Sequence, residues 1–327
     1  MSDPAQHSGG TPGGKQDVVN LPQAHDTAHE ALKQIGTIVV GKERVIKLAL
    51  TCIIANGHLL LEDVPGMGKT TLAQALAATT GLDYQRVQFT SDMLPADILG
   101  ITVYSRERET FDFHPGPIFA QMVLADEINR ATPKTQSALL EAMAERQVTI
   151  EGESRPLPNP FFVIATQNPV DLAGTFALPD SQLDRFLMRL HMGYPDPSAE
   201  RRLLEETDRQ MMLKDAKNCL PASSLNALQK QASDIHVSAP LLDYLQALIA
   251  GTRSFPGVQT GLSPRGALAV LASARAWALL ERRDHLIPED VQAVFVAVAA
   301  HRLRLGTDAG TDQEALAQQV LDQVPIP

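Results

Sequence analysis

The chain has 327 residues, of which 44% are hydrophobic and 20% are charged. This balance is typical of a folded globular protein of about two domains, and it excludes disordered and fibrous classes for most of the length. The 28 basic and 38 acidic residues give a formal net charge of -10, which disfavours a protein that coats nucleic acid. Aromatic residues make up 5%, which further disfavours the stacking of bases on exposed rings.

The opening stretch MSDPAQHSGGTPGGKQD has no apolar segment that could serve as a secretory signal. We predict a disordered tail over residues 1–23. No apolar run approaches the roughly 18 residues that a membrane-spanning helix needs, so we expect a cytoplasmic protein with no membrane span. Cys52 and Cys219 are the only cysteines, too few for a disulfide scaffold, and we interpret both as small buried residues.

Residues 24–194 are predicted to form an α/β core. Helical spacing of apolar residues indicates helices over 24–35 and 41–56. Short apolar runs then alternate with helical segments, which is typical of a mostly parallel sheet covered on both faces. These strand runs are HLLLE, YQRVQF, IFAQMVLAD and FFVIATQ.

A second domain is predicted over 195–327, because GYPDPSAE at 193–200 is a turn-rich boundary. Only helical patterns follow, so we expect a small all-α domain. The predicted helices span 198–213, 239–250, 264–281 and 288–302.

Two segments of the core, 101–114 and 148–158, alternate apolar and polar residues around a turn, which predicts β-hairpins inserted beside the sheet. Surface decoration is the plain interpretation of such hairpins. Their position next to the residues discussed below favours a functional one.

The strongest local pattern is HLLLEDVPGMGKTTLAQALAATTG over 58–81. A strand leads into a glycine-rich loop, and Lys69 and Thr70 open the helix that follows. A polyphosphate needs inward backbone N–H groups, the positive end of a helix dipole, a cation and a hydroxyl for Mg²⁺. Gly66 and Gly68 permit close approach, Lys69 supplies the cation and Thr70 the hydroxyl. A plain glycine-rich turn is the alternative.

We expect the nucleotide to contact most of this loop. The predicted contacts are Pro65, Gly66, Met67, Gly68, Lys69, Thr70 and Thr71. Asp63 stands where the pattern G-x-x-x-x-G-K-[ST] has its first glycine. Because this position lies at the entrance of the loop, we discount the mismatch.

The apolar run IFAQMVLAD ends in Asp126, and a second acid, Glu127, follows it directly. Asp126 is predicted to hold Mg²⁺, directly or through water, and Glu127 to position the water that attacks the phosphate. Acids before a helix often only cap it. The phosphate-binding loop upstream favours the catalytic interpretation.

Asn168 directly follows the apolar run FFVIATQ. The carboxyl ends of parallel strands gather at one edge of a sheet, which would bring Asn168 beside the γ-phosphate and the attacking water. An asparagine before Pro169 also suits a simple turn, so both interpretations stay open.

Three arginines are candidates for contacts with phosphate. Arg185 and Arg189 are four residues apart and share a face if ALPDSQLDRFLMRL is a helix. Such a pair is usually solvated, but one arginine could reach the nucleotide of a neighbouring subunit. Arg265 follows Ser263 and Pro264 at a helix start, where a cation is unfavourable unless an anion compensates. Arg265 is therefore a candidate nucleotide sensor.

These segments together resemble the AAA+ ATPases, and more closely their MoxR branch, over about residues 24–305. The five segments are LLLEDVPGMGKT, FHPGPIFAQMVLADEINRA, FFVIATQNP, LPDSQLDRF and GLSPRGAL. In order they look like Walker A, Walker B, sensor 1, arginine-finger and sensor 2 stretches. The resemblance implies an α/β P-loop NTPase fold, with inserted hairpins and an all-α lid domain.

The resemblance also implies roles that spacing alone does not show. MoxR-like ATPases form rings, usually hexamers, and act as chaperone-like factors on client proteins, which often contain von Willebrand factor A domains. Insertion of a metal or cofactor is a recurrent theme. Val39, Val40 and Gly41 fall where such proteins contact adenine, and Arg130 is another candidate to act across the subunit interface. The hairpins fall where the family has inserts facing the pore.

We therefore expect a Mg²⁺-dependent ATPase that matures or activates a partner protein, with ATP and Mg²⁺ as cofactors. The expected catalytic residues are Lys69, Asp126, Glu127, Asn168, Arg185 and Arg265. One alternative is an AAA+ motor acting on nucleic acid, which the net charge disfavours. Another is a nucleotide-switched binding module with little turnover.

Overall fold

Five parallel strands form the central sheet of the core. The structure is a computed structural model that describes residues 21–169, 174–205, 209–306 and 312–326. The sheet strands are β1 Leu59–Glu62, β2 Tyr84–Gln88, β5 Met122–Asp126, β8 Phe162–Gln167 and β9 Met188–Leu190. Their order across the sheet is β2-β5-β8-β1-β9, and every neighbouring pair is parallel.

The described helices surround this sheet and form most of the second domain. Those of the first part are α1 Leu21–Ile38, α2 Glu43–Ile54, α3 Lys69–Thr80, α4 Pro95–Leu99, α5 Pro133–Glu145 and α6 Asp180–Leu183. Those that follow are α7 Pro197–Glu205, α8 Arg209–Lys214, α9 Ala222–Asp234, α10 Ala239–Ser254, α11 Pro264–Leu280, α12 Pro288–Ala299 and α13 Gln313–Gln323. None of the described helices has the length and apolar character needed to cross a membrane.

Each central strand buries side chains on both faces of the sheet. In β1, Leu59 and Leu61 join an apolar cluster that also contains residues of α1, α2, α3 and the second domain, whereas Leu60 joins the cluster on the opposite face. Strands β5 and β8 alternate in the same way. Two-sided burial explains why these strands appear in the sequence as unbroken apolar runs. The predicted α/β architecture is therefore confirmed.

Both predicted hairpins are present. The first pairs β3 Gly100–Ser105 with β4 Thr110–Pro115, and the second pairs β6 Gln147–Ile150 with β7 Glu153–Pro156. The Arg155 guanidinium lies 4.1 Å from the centroid of the Phe113 ring. A cation–π contact of this kind stabilises the packing of the second hairpin on the first.

The second domain is helical, with one addition to the all-α expectation. A short antiparallel ladder joins β10 Val258–Thr260 to β11 Arg304–Leu305. The predicted helix over 198–213 is described as the separate α7 and α8, with residues 206–208 between them outside the described chain. Most of the predicted tail also lies outside the described residues, although α1 already begins at Leu21.

The proposed helical pairing of Arg185 and Arg189 is wrong. Helix α6 ends at Leu183, and Arg189 lies in strand β9. Met188 and Leu190 are buried while Arg189 alternates to the other face, where its Nη1 lies 3.2 Å from Glu62 Oε2. A three-residue strand is too short for this alternation to be told from a helix in sequence.

Candidate nucleotide-binding site

A cavity of about 330 Å³ lies where the carboxyl ends of β1, β5 and β8 meet the start of α3. Its described lining residues are Pro65, Gly66, Met67, Gly68, Lys69, Thr70, Thr71, Asp126, Glu127 and Asn168. The whole predicted loop, both predicted acids and the predicted asparagine thus line one space. Parallel strands bring these residues together because their carboxyl ends share an edge of the sheet.

The loop from β1 to α3 adopts a backbone that favours glycine. Gly66 and Gly68 both have φ of 86°, in the left-handed region that other residues rarely adopt. Gly68 directly precedes α3, and the first residues of this helix line the cavity, so their backbone N–H groups lie beside it. Unpaired N–H groups and the helix dipole at such an end attract phosphate.

Lys69 is half-buried beneath this loop. Its Nζ donates hydrogen bonds to the carbonyl oxygens of Asp63 and Val64, the latter at 3.3 Å. Burial lowers the pKa of Lys69, and the carboxylates of Asp63, Asp126 and Glu127 oppose that shift. The hydrogen-bond partners of the ammonium are thus neutral carbonyl groups of its own loop. A phosphate would give it a charged partner and so offset the cost of its partial burial.

Asp63 has a structural role that the sequence interpretation missed. Its Oδ1 accepts a hydrogen bond from the Val64 N–H at 2.8 Å, and its Oδ2 accepts one from the Gly193 N–H at 2.7 Å. The side chain thus ties the entrance of the loop to the segment after β9. A glycine here would lack both bonds, so the departure from the general pattern has a physical reason.

Asp126 is held on both of its carboxylate oxygens. Arg86 on β2 donates to Oδ2 through Nη2 at 2.7 Å and Nε at 3.2 Å. The Thr166 hydroxyl on β8 donates to Oδ1 at 2.6 Å. Charge-assisted bonds of this length are strong and fix the orientation of the carboxylate.

Glu127 stands in an uncommon backbone conformation at the end of β5. Its φ of 57° and ψ of 49° place it in the left-handed region, which is costly for a residue with a side chain. The Glu127 N–H donates to Thr166 Oγ1 at 2.9 Å, and Glu127 Oε2 lies 2.7 Å from Arg130 Nε. Asn129 Nδ2 donates to the Asn168 carbonyl oxygen at 3.3 Å, which links this turn to the end of β8.

The donor set of the cavity fits a magnesium nucleotide. Thr70 contributes a hydroxyl, and Asp126 and Glu127 contribute carboxylates, the oxygen ligands that Mg²⁺ prefers. Within the described part of the chain, no three His, Cys, Asp or Glu side chains gather as a metal site. In nucleotide sites, Mg²⁺ is usually held by one or two protein groups together with waters and phosphate oxygens.

The predicted adenine contacts lie outside the cavity lining. Val39 and Val40 are 6% and 5% exposed, so only a small edge of each side chain is accessible. Gly41 has φ of 70°, and a Cβ there would meet Ala199 Cβ at 2.5 Å. This segment therefore packs closely on α7, and its contact with a base stays a prediction.

Arg185 and Arg265 are not among the described residues that line the cavity. Arg185 Nη1 donates to the carbonyl oxygen of Leu140 at 2.8 Å, near the middle of α5. Arg265 Nε lies 3.9 Å from Asp184 Oδ2, beside Arg185 in sequence. The structure thus places both predicted arginines near Asp184, and their action on a nucleotide stays a prediction.

Known proteins share both parts of this chain. Residues 58–188 match the family "ATPase family associated with various cellular activities (AAA)", and residues 250–324 match the AAA lid domain. The "Chaperone MoxR1" of Mycobacterium tuberculosis is 39% identical over 97% of this chain and 86% of its own length. This chain belongs to the MoxR-type AAA+ ATPases.

Two further proteins are similar to this chain over more than nine-tenths of its length. The uncharacterized protein YeaC of Bacillus subtilis is 41% identical over 93% of this chain and 96% of its own length. A crystal structure of a Cytophaga hutchinsonii protein, named as a candidate ATPase, superposes with a TM-score of 0.84 at 35% identity. That match covers 94% of this chain and 97% of the other.

Sequence reasoning missed Arg86 and Thr166 in this MoxR-type site. Arg86 is an exposed basic residue within YQRVQ, and Thr166 precedes the predicted Asn168 by two positions. The strand order would have identified them, because β5 lies between β2 and β8. Polar side chains on both flanking strands then face the acids that end β5. The local sequence does not contain that order.

Proposed function

We propose that this MoxR-type protein hydrolyses ATP with the help of Mg²⁺. The observation that carries the proposal is the single cavity lined by the phosphate-type loop, Lys69, both acids and Asn168. A fold of this class hosts many functions, so the proposal depends on these residues and their arrangement.

In the proposed reaction, the loop N–H groups and Lys69 bind the phosphates and stabilise the charge that develops on the transferred phosphoryl group. Thr70 and Asp126 would hold Mg²⁺, which supplies charge neutralisation between the phosphate oxygens. Glu127 accepts a hydrogen bond from the attacking water and orients it. Asn168 donates to the γ-phosphate or to that water. Val39, Val40 and Gly41 contact the adenine.

We further propose that a second copy of the chain completes the nucleotide-binding site by supplying an arginine. Arg185 and Arg265 lie near Asp184 and outside the cavity of their own chain. An arginine supplied in trans is a recurrent device in phosphoryl transfer. A closed ring, which we expect to be a homohexamer, would present these arginines to the neighbouring cavity.

The partner of this ring is proposed to be a client protein that it matures or activates. Support comes from the similarity to a protein named as a chaperone. A client containing a von Willebrand factor A domain, assistance in metal insertion and a cytoplasmic location are our expectations from the family resemblance.

Two variants separate the binding of ATP from its hydrolysis. We expect Lys69→Ala to abolish binding of a fluorescent ATP analogue, because the phosphates lose their cation. We expect Glu127→Gln to bind that analogue normally and to hydrolyse ATP about 10² to 10⁴ times more slowly than the wild type. The exposed Glu141→Gln on α5 is the matched control. Equal turnover by wild type and Glu127→Gln would contradict the role of this carboxylate.

A trapped Glu127→Gln ring also addresses the assembly and the client. Its mass in the presence of ATP is expected to correspond to six chains, as measured by mass photometry. A single-chain mass at saturating ATP would contradict the ring. Proteins that co-purify with this variant and are released on nucleotide removal would identify the client.

A further inference from the structure

Thr166 occupies a central position between the strands that carry the proposed catalytic residues. It lies on β8 and is fully buried. Ala165 pairs with Ala125 in the parallel register of β8 and β5, so Thr166 and Asp126 are the next neighbours toward the cavity. Asn168 follows two residues later.

The Thr166 hydroxyl bonds to both acids at once. It donates to Asp126 Oδ1 at 2.6 Å and accepts from the Glu127 N–H at 2.9 Å. Arg86 bonds to the Asp126 carboxylate and Arg130 to the Glu127 carboxylate, so each of those pairs holds one acid. The hydroxyl joins the side chain of one acid to the backbone of the next.

This link bears on the geometry of the site for two reasons. Glu127 has a left-handed backbone, a conformation that persists only where its surroundings hold it, and the bond from its N–H is one such restraint. Oδ1 of Asp126 would also lose a donor without the hydroxyl, leaving this carboxylate held through Oδ2. Loss of the hydroxyl would therefore loosen both acids together.

We propose that Thr166 is a positioning residue that fixes Asp126 and Glu127 relative to each other, an inference that rests on the proposed ATPase reaction. It acts through the two acids and needs no contact of its own with the nucleotide. Because misplacement of a catalytic group by about 1 Å can cost roughly 10² in rate, the hydroxyl is expected to matter for turnover more than for nucleotide binding.

The test compares Thr166→Val, which removes the hydroxyl at nearly constant shape, with Thr166→Ser, which keeps it. Thr252→Val is a matched control in α10. Thr252 is also fully buried, and its hydroxyl donates to the Ile249 carbonyl at 2.6 Å and accepts from the Leu262 N–H at 3.0 Å. Each valine variant loses one bond that the hydroxyl donates and one that it accepts from a backbone N–H, to a carboxylate acceptor for Thr166 and a backbone carbonyl for Thr252. Their melting temperatures therefore reveal general destabilisation.

Two readouts separate positioning from folding. The first is steady-state ATP turnover, for which we expect Thr166→Val to lose about 10² in kcat with little change in KM. The second is the Mg²⁺ concentration that half-saturates binding of a fluorescent ATP analogue, which we expect Thr166→Val to raise several-fold. Thr166→Ser and Thr252→Val are expected to match wild type in both readouts.

The outcomes distinguish this inference from the ATPase proposal. If the wild type hydrolyses ATP and Thr166→Val has the same turnover and the same Mg²⁺ midpoint, the positioning role is overturned and the ATPase proposal stands. A Thr166→Val defect shared equally by Thr252→Val or by Thr166→Ser would also overturn it. A wild type that binds the nucleotide without turnover would contradict the ATPase proposal, and the Mg²⁺ midpoints would still decide the role of Thr166.

Discussion

The nucleotide cavity differs from the arginine cluster around Asp184, which consists of Arg185, Arg265 and Arg302. One chain supplies the whole described lining of the cavity, whereas we propose that two of the clustered arginines act on the cavity of a neighbouring chain. The cavity is lined by the loop before α3, by both acids and by Asn168. Around Asp184, Arg302, with 4% of its side chain exposed, makes a 2.7 Å ion pair, while Arg265 lies at 3.9 Å with 59% of its side chain exposed. Asp184 is thus already neutralised by Arg302, and Arg265 is only loosely held.

This difference separates two kinds of functional residue. Residues at the ends of β1, β5 and β8 meet within their own chain, because the sheet brings the carboxyl ends of its strands together. We expect residues that act on another copy to lie near the surface with weak partners, as Arg265 does, whereas Arg185 donates a 2.8 Å hydrogen bond within its own chain. Variants of Arg185 and Arg130 test whether these arginines belong to this second kind.

The largest effect is expected for Arg185→Ala. If this arginine acts on the neighbouring subunit, turnover falls by about 10³ or more while nucleotide binding is unchanged. Mixing Arg185→Ala with Lys69→Ala is expected to restore part of the activity, because some interfaces then contain an intact cavity and an intact arginine. Steady-state turnover of the mixtures checks this.

Arg282→Ala is the control for the Arg185 experiment, since Arg282 is exposed and pairs with Asp26 on a distant surface. We expect it to retain wild-type turnover. Full activity of Arg185→Ala alone, or mixtures that remain inactive, would contradict the proposal that Arg185 acts on the neighbouring subunit.

A smaller effect of opposite sign is expected for Arg130→Ala. Arg130 Nε pairs with Glu127 Oε2 at 2.7 Å and so competes for the oxygen that would accept the bond from water. Without it, turnover is expected to rise about two- to threefold, the scale of one weak, half-exposed ion pair. Turnover at saturating ATP measures this. A large loss would instead give Arg130 the role that we propose for Arg185.

The smallest effect concerns the pair of His191 and Glu314, which joins the end of β9 to α13. His191 Nε2 lies 3.1 Å from Glu314 Oε1. The hydrogen bond with Glu314 raises the pKa of His191 above its ordinary 6.5, and the same bond lowers the pKa of Glu314 below 4.5. Each shift favours the charged form, so the pair is stabilising when both groups are ionised.

The pH window of this pair follows from the signs. The His191 contribution is complete below pH 6.5 and is lost as the pH rises through the raised pKa; the Glu314 contribution is complete above pH 4.5 and is lost as the pH falls through the lowered pKa. Both side chains are partly exposed, so we expect a coupling of about 0.5 kcal/mol. A double-mutant cycle of His191→Gln and Glu314→Gln, measured at pH 6 and pH 9, checks this. A coupling that persists at pH 9 would contradict it.

Much of the fold and of the cavity is predictable from local sequence. Buried strands such as β5 and β8 are unbroken apolar runs, and Gly66 to Thr70 follow a pattern that combines a strand, a turn and a helix start. These signals are local because the chemistry requires consecutive residues. Residues with these local signals line one cavity in the structure.

The parts that were missed depend on contacts between distant segments. Arg189 appeared to belong to a helix, because the pairing of β9 with β1 and its contact with Glu62 have no local signature. The role of Asp63 has no local signature, because one of its partners, the Gly193 N–H, lies far along the chain. Thr166 and Arg86 gain meaning only from the strand order across the sheet.

The most direct test of the central claim is a crystal structure of this protein with a non-hydrolysable ATP analogue and Mg²⁺. We predict that the phosphates lie within hydrogen-bond distance of the backbone N–H groups from Gly66 to Thr70, with Lys69 and Asp126 beside them. A nucleotide bound elsewhere, or this turn left empty at saturating nucleotide, would contradict the account.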